Sequence, residues 1–332
     1  MNRGVMRIGL LTGGGDCPGL NAAIRAIVLC AENDGDEVIG FHHGWLGVAE
    51  DECTTLTEAD TKGLLQTGGT ILRTARYHPE KHEGGTEAVL TTFARERLDA
   101  FVVIGGDGTL GAALKLTQLG VPLVGIAKTI DNDVTGTHRC IGFDTAVATA
   151  AEAIDRVQTT GESHDRLMIV EVMGRTSGWL AVCAGIAAGA NALCLPEMPV
   201  DFDQLAKAIA QRHDAGSTSS VVVVAEGALR GENIAGSAGT IVSNALAERT
   251  GYETRLTVLG HIQRGGPPIA SDRLLASNCG VAAMQAVHSG EFATLVDAGD
   301  TTTELVPLNF VALGPRPVPS ALLAVASELT VH

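Results

Sequence analysis

The sequence contains few aromatic residues and little positive charge. Phe, Trp and Tyr make up 3% of its 332 residues, and 23 Lys and Arg are outnumbered by 38 Asp and Glu, which gives a formal net charge of -15. An acidic chain has no overall attraction for the phosphate backbone of nucleic acids or for anionic membranes. We therefore expect no nucleic-acid partner and no membrane partner. An anionic ligand would need a local cluster of Arg and Lys.

Closely spaced cysteine pairs are also lacking. The seven cysteines are widely spread and none forms a Cys-x-x-Cys motif, and their odd number fits buried thiols in a reducing compartment. The length excludes a small disulfide-stapled scaffold. The apolar run that follows Arg3 and Arg7 is short and enters a Gly-Asp turn rather than a cleavage site. These features predict a cytoplasmic protein.

The stretch Trp179–Pro196 has no charged residue and is about as long as a membrane-spanning helix. It is rich in Ala and Gly, however, and it includes Asn191. Its pattern divides more naturally into a helix at Trp179–Ala188 and a short strand at Ala192–Leu195. We therefore favour a buried helix and strand over a membrane segment.

Apolar runs typical of strands alternate with helical patterns along the chain. The first three pairs are Met6–Leu11 with Asn21–Glu32, Phe101–Ile104 with Leu110–Leu119, and Leu123–Ile126 with Thr145–Gln158. This alternation predicts βαβ units and mostly parallel sheets. Strands as continuously apolar as Val221–Val224 suit sheets that helices cover on both faces. An α/β fold is therefore predicted, with ligands at the carboxyl ends of the strands.

A glycine-rich loop, Thr12–Gly19, lies between a predicted strand and a predicted helix. Backbone N–H groups and the helix dipole favour phosphate at such a place. The loop is not a dinucleotide fingerprint, because Pro18 takes the last Gly position, and it is not a P-loop, because Leu20-Asn21 replaces Lys-Ser/Thr. A phosphate loop is predicted, with a plain tight turn as the alternative.

Two further loops follow predicted strands, at Gly105–Thr109 and Lys128–Asp133. In the first, Asp107 is placed to hold Mg²⁺, but the same Gly-Gly-Asp-Gly-Thr sequence occurs in NAD kinases and diacylglycerol kinases, so it indicates a kinase more firmly than a substrate. In the second, Asp131 and Asp133 can take different roles: one carboxylate removes the proton of the acceptor hydroxyl, and the other supports the metal site. A simple turn explains one such loop, but not three at successive strand ends.

Two later motifs, Glu171–Arg175 and Leu259–Gly266, complete a pattern that resembles the 6-phosphofructokinases from about residue 7 to about residue 290. The resemblance implies the phosphofructokinase fold, two Rossmann-like three-layer α/β domains with mostly parallel sheets. It implies a nucleotide-binding domain at 1–142 plus 263–310 and a sugar-phosphate-binding domain at 143–262 plus 311–332.

The activity that the resemblance implies is transfer of the γ-phosphoryl group of ATP·Mg²⁺ to the 1-hydroxyl of fructose 6-phosphate. By similarity, Asp131 takes the hydroxyl proton, and Thr129, Arg175 and Lys128 act on the phosphoryl group. The residues matching the nucleotide and Mg²⁺ site are Gly15, Arg76, Tyr77, Gly106, Asp107 (the metal ligand), Gly108 and Thr109. Those matching the sugar-phosphate site are Thr129, Asp131, Arg166, Met173, Gly174, Arg175, Glu226, Arg255, His261 and Arg264.

The arginines in this set would form the local basic cluster that an acidic chain needs, although each taken alone could be a surface salt bridge. Their planar guanidinium groups suit a phosphate dianion. In the bacterial enzymes that this chain resembles, the residues matching Arg166 and Arg255 come from the neighbouring subunit. The resemblance therefore implies a homotetramer, or a dimer, with a shared sugar site.

Two positions indicate which phosphoryl donor, ATP or pyrophosphate, the chain uses. Gly108 leaves room for the α-phosphate of ATP, where an aspartate would exclude it, whereas Lys128 resembles the pyrophosphate-using enzymes. The combination resembles the actinobacterial ATP-dependent branch, and we expect ATP, with pyrophosphate as the alternative. Sedoheptulose 7-phosphate or tagatose 6-phosphate would be alternative acceptors.

Two other hypotheses fit less of the sequence. NAD kinase would leave Arg166, Arg175 and the His261–Arg264 motif without a role, and an inactive sensor would not need Asp107 and Asp131. The pairs Tyr77-His78 and His138-Arg139 do not match the family pattern. They either alter nucleotide contacts or are surface variation.

Overall fold

The computed structural model describes residues 4–229, 236–299 and 302–331. It separates into two compact units. Unit 1 comprises Met1–Asp144 and Arg264–Arg316, and unit 2 comprises Thr145–Gln263 and Pro317–His332. The chain thus leaves unit 1 and later returns to it. Which unit binds which substrate stays a prediction.

Strands and helices alternate through most of the described residues. The strands are β1 (Arg7–Thr12), β2 (Glu37–Phe41), β3 (Cys53–Leu56), β4 (Ala100–Gly105), β5 (Leu123–Ala127), β6 (Leu167–Val172), β7 (Ala192–Cys194), β8 (Ser220–Ala225), β9 (Thr254–Val258), β10 (Thr294–Ala298) and β11 (Thr303–Pro307). The α-helices are α1 (Leu20–Asp34), α2 (Trp45–Glu50), α3 (Gly85–Arg95), α4 (Asp107–Gln118), α5 (Phe143–Glu162), α6 (Trp179–Ala187), α7 (Phe202–Asp214), α8 (Ala238–Thr250), α9 (Ala270–Ser289) and α10 (Ser320–Leu329). Short 3₁₀ helices lie at Glu58–Thr61, Leu64–Gln66, Pro79–Lys81, Gly260–Arg264 and Leu308–Leu313.

The sheet of unit 1 has the strand order β11-β10-β5-β4-β1-β2-β3. Its inner pairs are parallel, and the outer pairs β2 with β3 and β10 with β11 are antiparallel. The central strand β4 is buried at every residue, as expected for a strand covered on both faces. Phe101 on this strand packs against Trp45, with ring centroids 5.7 Å apart, in the core of the unit.

Glycines allow two close approaches that hold α1 in place. Gly19, just before the helix, has a φ of 106°, which a side chain would strain, and a Cβ there would lie 2.6 Å from Ile141 Cγ2. A Cβ on Gly280 of α9 would lie 2.7 Å from Ala26 Cβ, so this glycine lets α9 pack closely on α1. The loop before α1 is therefore fixed by packing behind it.

The sheet of unit 2 is parallel, in the order β7-β8-β6-β9. The strands β6 and β8 are buried throughout, which accounts for the continuous run of valines in β8. The sequence-based prediction of an α/β fold with mostly parallel sheets is confirmed. The charge-free stretch forms α6 and β7, as expected, and no helix in the described part of the chain could cross a membrane.

Candidate active site

Three Gly- and Asp-containing loops of unit 1 follow the adjacent parallel strands β1, β4 and β5. Backbone hydrogen bonds connect them: Gly13 N donates to Ile104 O at 3.0 Å, and Lys128 N donates to Gly105 O at 3.0 Å. Because the carboxyl ends of parallel strands lie at one edge of a sheet, the loops form a continuous surface. The structure thus brings together the three segments that the sequence singled out.

Lys128 lies at the centre of this surface and is 2% exposed. Its Nζ donates a hydrogen bond of 2.6 Å to Gly15 O, and a Cβ on Gly14 would lie 3.1 Å from the same nitrogen. Burial lowers the pKa of Lys128, the Arg264 guanidinium lowers it further, and nearby acidic groups such as Asp131 oppose this. A phosphate at this loop would meet a lysine held against the backbone.

The loop after β5 is fixed by hydrogen bonds to its backbone. Asp131 is 3% exposed, and its N–H donates to Thr129 Oγ1 at 3.1 Å. Asn132 has a left-handed φ of 52°, and its Oδ1 accepts from Cys140 N at 2.9 Å. These bonds hold the backbone of the loop that carries the buried Asp131.

Arg316 also holds this loop, and sequence reasoning missed it. Its Nε and Nη2 donate to Asn132 O at 3.1 and 2.9 Å, and its N–H donates to Asp133 O at 2.7 Å. Hydrogen bonds from a charged donor are stronger than those between neutral groups. No local pattern could have revealed the role of Arg316, because it lies far along the chain from the loop.

The loop after β4 enters α4 directly, with Gly106 as the residue before the helix and Asp107 in the first turn. Thr109 packs under the loop: a Cβ on Gly13 would lie 2.6 Å from its Oγ1, and its carbonyl oxygen accepts from Trp45 Nε1 at 3.1 Å. The first-turn N–H groups of a helix have no intrahelical partner and favour an anion. The turn can therefore receive a phosphate.

The carboxylates at this edge fit a magnesium ion in their chemistry, because Mg²⁺ prefers carboxylate and phosphate oxygens. Among the described residues, the group of three ligand atoms within 4.8 Å of one another is Asp51, Cys53 and Glu96, and Asp107 does not belong to it. Mg²⁺ usually takes one or two protein carboxylates together with substrate phosphates and waters rather than an all-protein cage.

A segment between β3 and α3 borders the same surface. Thr74 Oγ1 donates to Gly14 O at 2.5 Å, and Thr12 Oγ1 donates to Arg73 O at 2.9 Å. The predicted nucleotide residues follow: Arg76 is exposed, and the ring of Tyr77 stacks on His82 with centroids 4.3 Å apart. The segment is thus attached to the first glycine loop.

Arg264 belongs to unit 1, where it contacts the first glycine loop. A Cβ on Gly15 would collide with its guanidinium group. The sequence placed Arg264 with the sugar-phosphate residues and Gly15 with the nucleotide residues. The structure brings these two residues together.

In unit 2, the turn after β6 is held by Glu226, which follows β8. Gly174 and Arg175 have left-handed φ values of 142° and 55°, and their N–H groups donate to Glu226 Oε1 at 3.2 and 2.7 Å. A non-glycine residue in this region carries strain of about 1–3 kcal/mol, which surrounding contacts must offset. Glu226 therefore fixes the backbone that presents Arg175.

Two other contacts complete this end of the sheet. Met173 N donates to Oε1 of the fully buried Gln263 at 2.8 Å, and the exposed His261 lies in the 3₁₀ helix that follows β9. Leu259 N donates to Glu171 O at 3.0 Å, which aligns the ends of β9 and β6. Sequence reasoning missed Gln263 as a support of the turn, although it lies inside the Leu259–Gly266 motif.

Arg166 and Arg255 lie at the other end of the same sheet. Both pair with Glu253: Arg166 Nη2 is 3.1 Å from its Oε1, and Arg255 Nη2 contacts the same oxygen. The hydrogen bond from Arg166 is the main cause that lowers the pKa of Glu253. Arg166 precedes β6 and Arg175 follows it, so the length of that strand, about 20 Å, separates them. The structure does not bring the two groups together within one chain.

Comparisons with known proteins agree with this geometry. The phosphofructokinase family model matches residues 7–287. The chain is 46% identical to "ATP-dependent 6-phosphofructokinase 3" of Streptomyces coelicolor over 338 residues, which cover 97% of this chain and 99% of that protein. It is 47% identical over 307 residues to a "Pyrophosphate--fructose 6-phosphate 1-phosphotransferase" of Amycolatopsis methanolica, with 88% of this chain and 90% of that protein covered.

A solved structure of phosphofructokinase from Pichia pastoris in the T-state has a TM-score of 0.87 and 33% identity to this chain. The match covers 98% of this chain and 36% of that one, so the chain spans about a third of the yeast protein's length. The family model alone covers well over half of the chain and agrees with the motifs at the three strand ends. The chain therefore belongs to the phosphofructokinase family.

Proposed function

We propose that the chain is an ATP-dependent 6-phosphofructokinase, which transfers the γ-phosphoryl group of ATP to the 1-hydroxyl of fructose 6-phosphate. One observation carries the proposal: the loops after β1, β4 and β5 meet at one edge of the sheet, with the Lys128 ammonium 2.6 Å from Gly15 O and Asp131 buried beside it. The arrangement supplies phosphate-binding backbone, a cation and a carboxylate in one place.

Asp131 is the proposed base. A general base must be an acceptor held in a fixed position near the proton that it removes. The bond from its own N–H to Thr129 Oγ1 and the anchoring of the next residue by Arg316 fix the loop that carries it. Asp131 would accept the proton of the sugar hydroxyl as that oxygen attacks the phosphorus.

Lys128 is the proposed cation beside the transferring phosphoryl group, a role in which Thr129 and Arg175 assist by family pattern. Stabilisation of charge that develops on phosphate oxygens is the main catalytic device of phosphoryl transfer. Mg²⁺, when bound with the nucleotide, would neutralise phosphate charge, and Asp107 is the proposed protein ligand. The N–H groups of Gly106, Gly108 and Thr109 at the start of α4 would bind the phosphates.

The sugar phosphate is proposed to lie at unit 2, against the turn that Glu226 holds. The matching residues at this end are Met173, Gly174, Arg175, Glu226 and His261. Since about 20 Å of β6 separates Arg166 from this turn, the Arg166 and Arg255 pair cannot serve the sugar site of its own chain. This supports an oligomer, by family pattern a homotetramer, in which each chain gives this pair to a neighbour.

ATP is the proposed donor because Gly108 has no side chain to exclude a nucleotide. Relatives named for ATP and for pyrophosphate are both about equally similar to this chain, so overall similarity does not decide between donors. The proposed compartment is the cytoplasm. In its support, the seven cysteines are free, and burial raises the pKa of Cys17 and Cys279 to about 12, which keeps these thiols protonated.

The test is the initial rate of fructose 1,6-bisphosphate formation with ATP and pyrophosphate in parallel, using the wild type and Asp131→Asn. We expect activity with ATP that falls by several orders of magnitude in the variant. Activity with pyrophosphate alone would contradict the donor. In a parallel assay of donor consumption, activity with sedoheptulose 7-phosphate or tagatose 6-phosphate but not with fructose 6-phosphate would contradict the acceptor. Full activity in Asp131→Asn would contradict the base.

A further inference from the structure

The imidazole of His78 covers Gly108, the residue that leaves space for a nucleotide. A Cβ on Gly108 would lie 2.5 Å from His78 Cε1 and 3.3 Å from its Nε2. Carbon atoms that are not bonded to each other require about 3.5 Å. The ring therefore already fills the space that any side chain at position 108 would occupy.

The neighbouring glycines face a different part of the site. A Cβ on Gly106 would lie 3.5 Å from Lys128 O and 3.9 Å from Thr129 Cβ, and one on Gly14 would face the Lys128 ammonium. A Cβ at position 106 would thus face the loop that carries the proposed transfer residues, whereas a Cβ at position 108 would face His78 instead. A donor that extends beyond two phosphates would have to pass this side.

Hydrogen bonds hold the backbone of His78, whereas its ring interacts with the neighbouring Glu80 through charge alone, as one of the causes that lower the pKa of that carboxyl. His78 precedes the 3₁₀ helix Pro79–Lys81, and its carbonyl oxygen accepts from Lys81 N at 2.9 Å. In the same helix, Glu80 pairs with Lys115 of α4 at 3.1 Å. Within the part of the chain that the structure describes, the ring nitrogens of His78 make no hydrogen bond. The ring can therefore turn while its backbone stays against α4.

We propose that His78 determines donor specificity, because its ring occupies the path of ATP beside Gly108 and must turn aside before ATP binds. Pyrophosphate ends before this point and leaves the ring in place. The inference rests on the proposed function, since it takes the donor phosphates to lie at the start of α4. His78 would thus be a second residue, besides Gly108, whose size decides whether ATP fits. A protein whose binding-competent state is only partly populated binds its ligand correspondingly more weakly.

The experiment measures binding rather than turnover. ATP·Mg²⁺ and pyrophosphate·Mg²⁺ are titrated calorimetrically into the full chain as wild type, His78→Ala, His78→Phe and His82→Ala. Because an unfavourable side-chain rotamer is a small cost, we expect His78→Ala to bind ATP about two- to tenfold more tightly. Its affinity for pyrophosphate should stay within about twofold. Wild-type protein that binds no ATP while His78→Ala binds it would support the proposal equally.

Two of these variants show whether the size of the side chain at position 78, rather than another property of the segment, controls ATP binding. His78→Phe keeps a ring of similar size, so its ATP affinity should resemble that of the wild type. His82→Ala removes an imidazole from the same segment, one that stacks on Tyr77 instead of facing Gly108, and it should not tighten ATP binding. Melting temperatures confirm that each variant is folded.

Three results would overturn the proposal: ATP affinity in His78→Ala that is unchanged or weaker, equal changes for both donors, or no binding of ATP by any variant. A failure of the proposed function looks different. It would appear as absent turnover in the rate assay of the wild type, and the calorimetric comparison of the two donors would still decide the role of His78.

Discussion

Lys128 and Gly15 are joined by a hydrogen bond of 2.6 Å from a buried ammonium group to a backbone carbonyl oxygen. The bond connects the loop after β5 with the loop after β1, so the lysine has both a structural and an electrostatic role.

Lys128→Met should lower kcat by about 10²-fold, because it removes the buried cation at the three loops while roughly keeping the side-chain volume. The measurement is kcat and KM for both substrates. The control is Lys115→Met, which removes an exposed lysine of α4 that pairs with Glu80. Equal losses in the two variants, or no loss in Lys128→Met, would contradict the role of Lys128.

The stability of the wild type should rise with pH relative to Lys128→Met. Burial lowers the pKa of Lys128 from 10.5, so the folded state releases this proton at a lower pH than the unfolded chain does. Between the two pKa values the unfolded chain binds more protons, and the free energy of unfolding increases with pH. Urea unfolding of both proteins from neutral pH to about 10 measures the difference. A difference that stays constant or shrinks would show that burial does not disfavour the charged form.

Arg316→Ala should lower kcat by about tenfold or more with little change in KM for ATP, because hydrogen bonds from a charged donor to Asn132 O are lost. Arg273→Ala is a matched control, since Arg273 also donates to a backbone oxygen, Pro268 O at 2.6 Å, but in a different part of unit 1. If the two variants lost only stability, and to the same degree, Arg316 would have no special role in placing Asp131.

Glu226→Ala should raise KM for fructose 6-phosphate by about tenfold or more, because two backbone N–H groups lose their acceptor in a strained turn. Glu226→Gln keeps one acceptor oxygen and should recover most of the affinity. The KM for ATP serves as an internal control. A larger effect on ATP than on the sugar phosphate would argue against the assignment of unit 2 to the sugar.

Asp131→Asn and Arg255→Ala chains should each be inactive alone and regain activity when produced together. In a mixed oligomer, one site can receive Asp131 from one chain and Arg255 from the other, which for random pairing restores about a quarter of the wild-type activity. The measurement is the rate of co-purified mixed oligomers. Mixed oligomers that remain inactive would mean that each chain uses its own Arg255.

Sequence patterns predicted strands such as β1, β4, β5 and β8, and the three loops, because continuous apolar runs and Gly-Asp turns are local signals. Helix starts were less accurate: the pattern began one helix at Leu110, whereas α4 begins at Asp107. The Gly-Asp-Gly-Thr turn is itself the first turn of that helix, and glycine is a poor helix former. The strands β2, β3, β10 and β11 were not predicted, and β11 lies in the stretch after Asp297, where the sequence has little pattern.

Contacts between distant residues could not be predicted from one sequence. No local sequence pattern indicates that Arg316 contacts Asn132 or that His78 lies over Gly108. His78 was noted only as unlike the family pattern. Glu226 was expected at the sugar-phosphate site, and the structure adds that it holds the Gly174-Arg175 backbone. The roles of the site residues themselves stay predictions.

The six-residue length of β6 implies that the activity per chain would depend on the enzyme concentration. With Arg166 at one end of the strand and Arg175 at the other, a correctly folded single chain would lack part of its own sugar site. Dilution below the dissociation constant of the oligomer should then abolish activity while circular dichroism remains unchanged. Because of the length of this one strand, the catalytic rate per chain would depend on the fraction of chains that are assembled into oligomers.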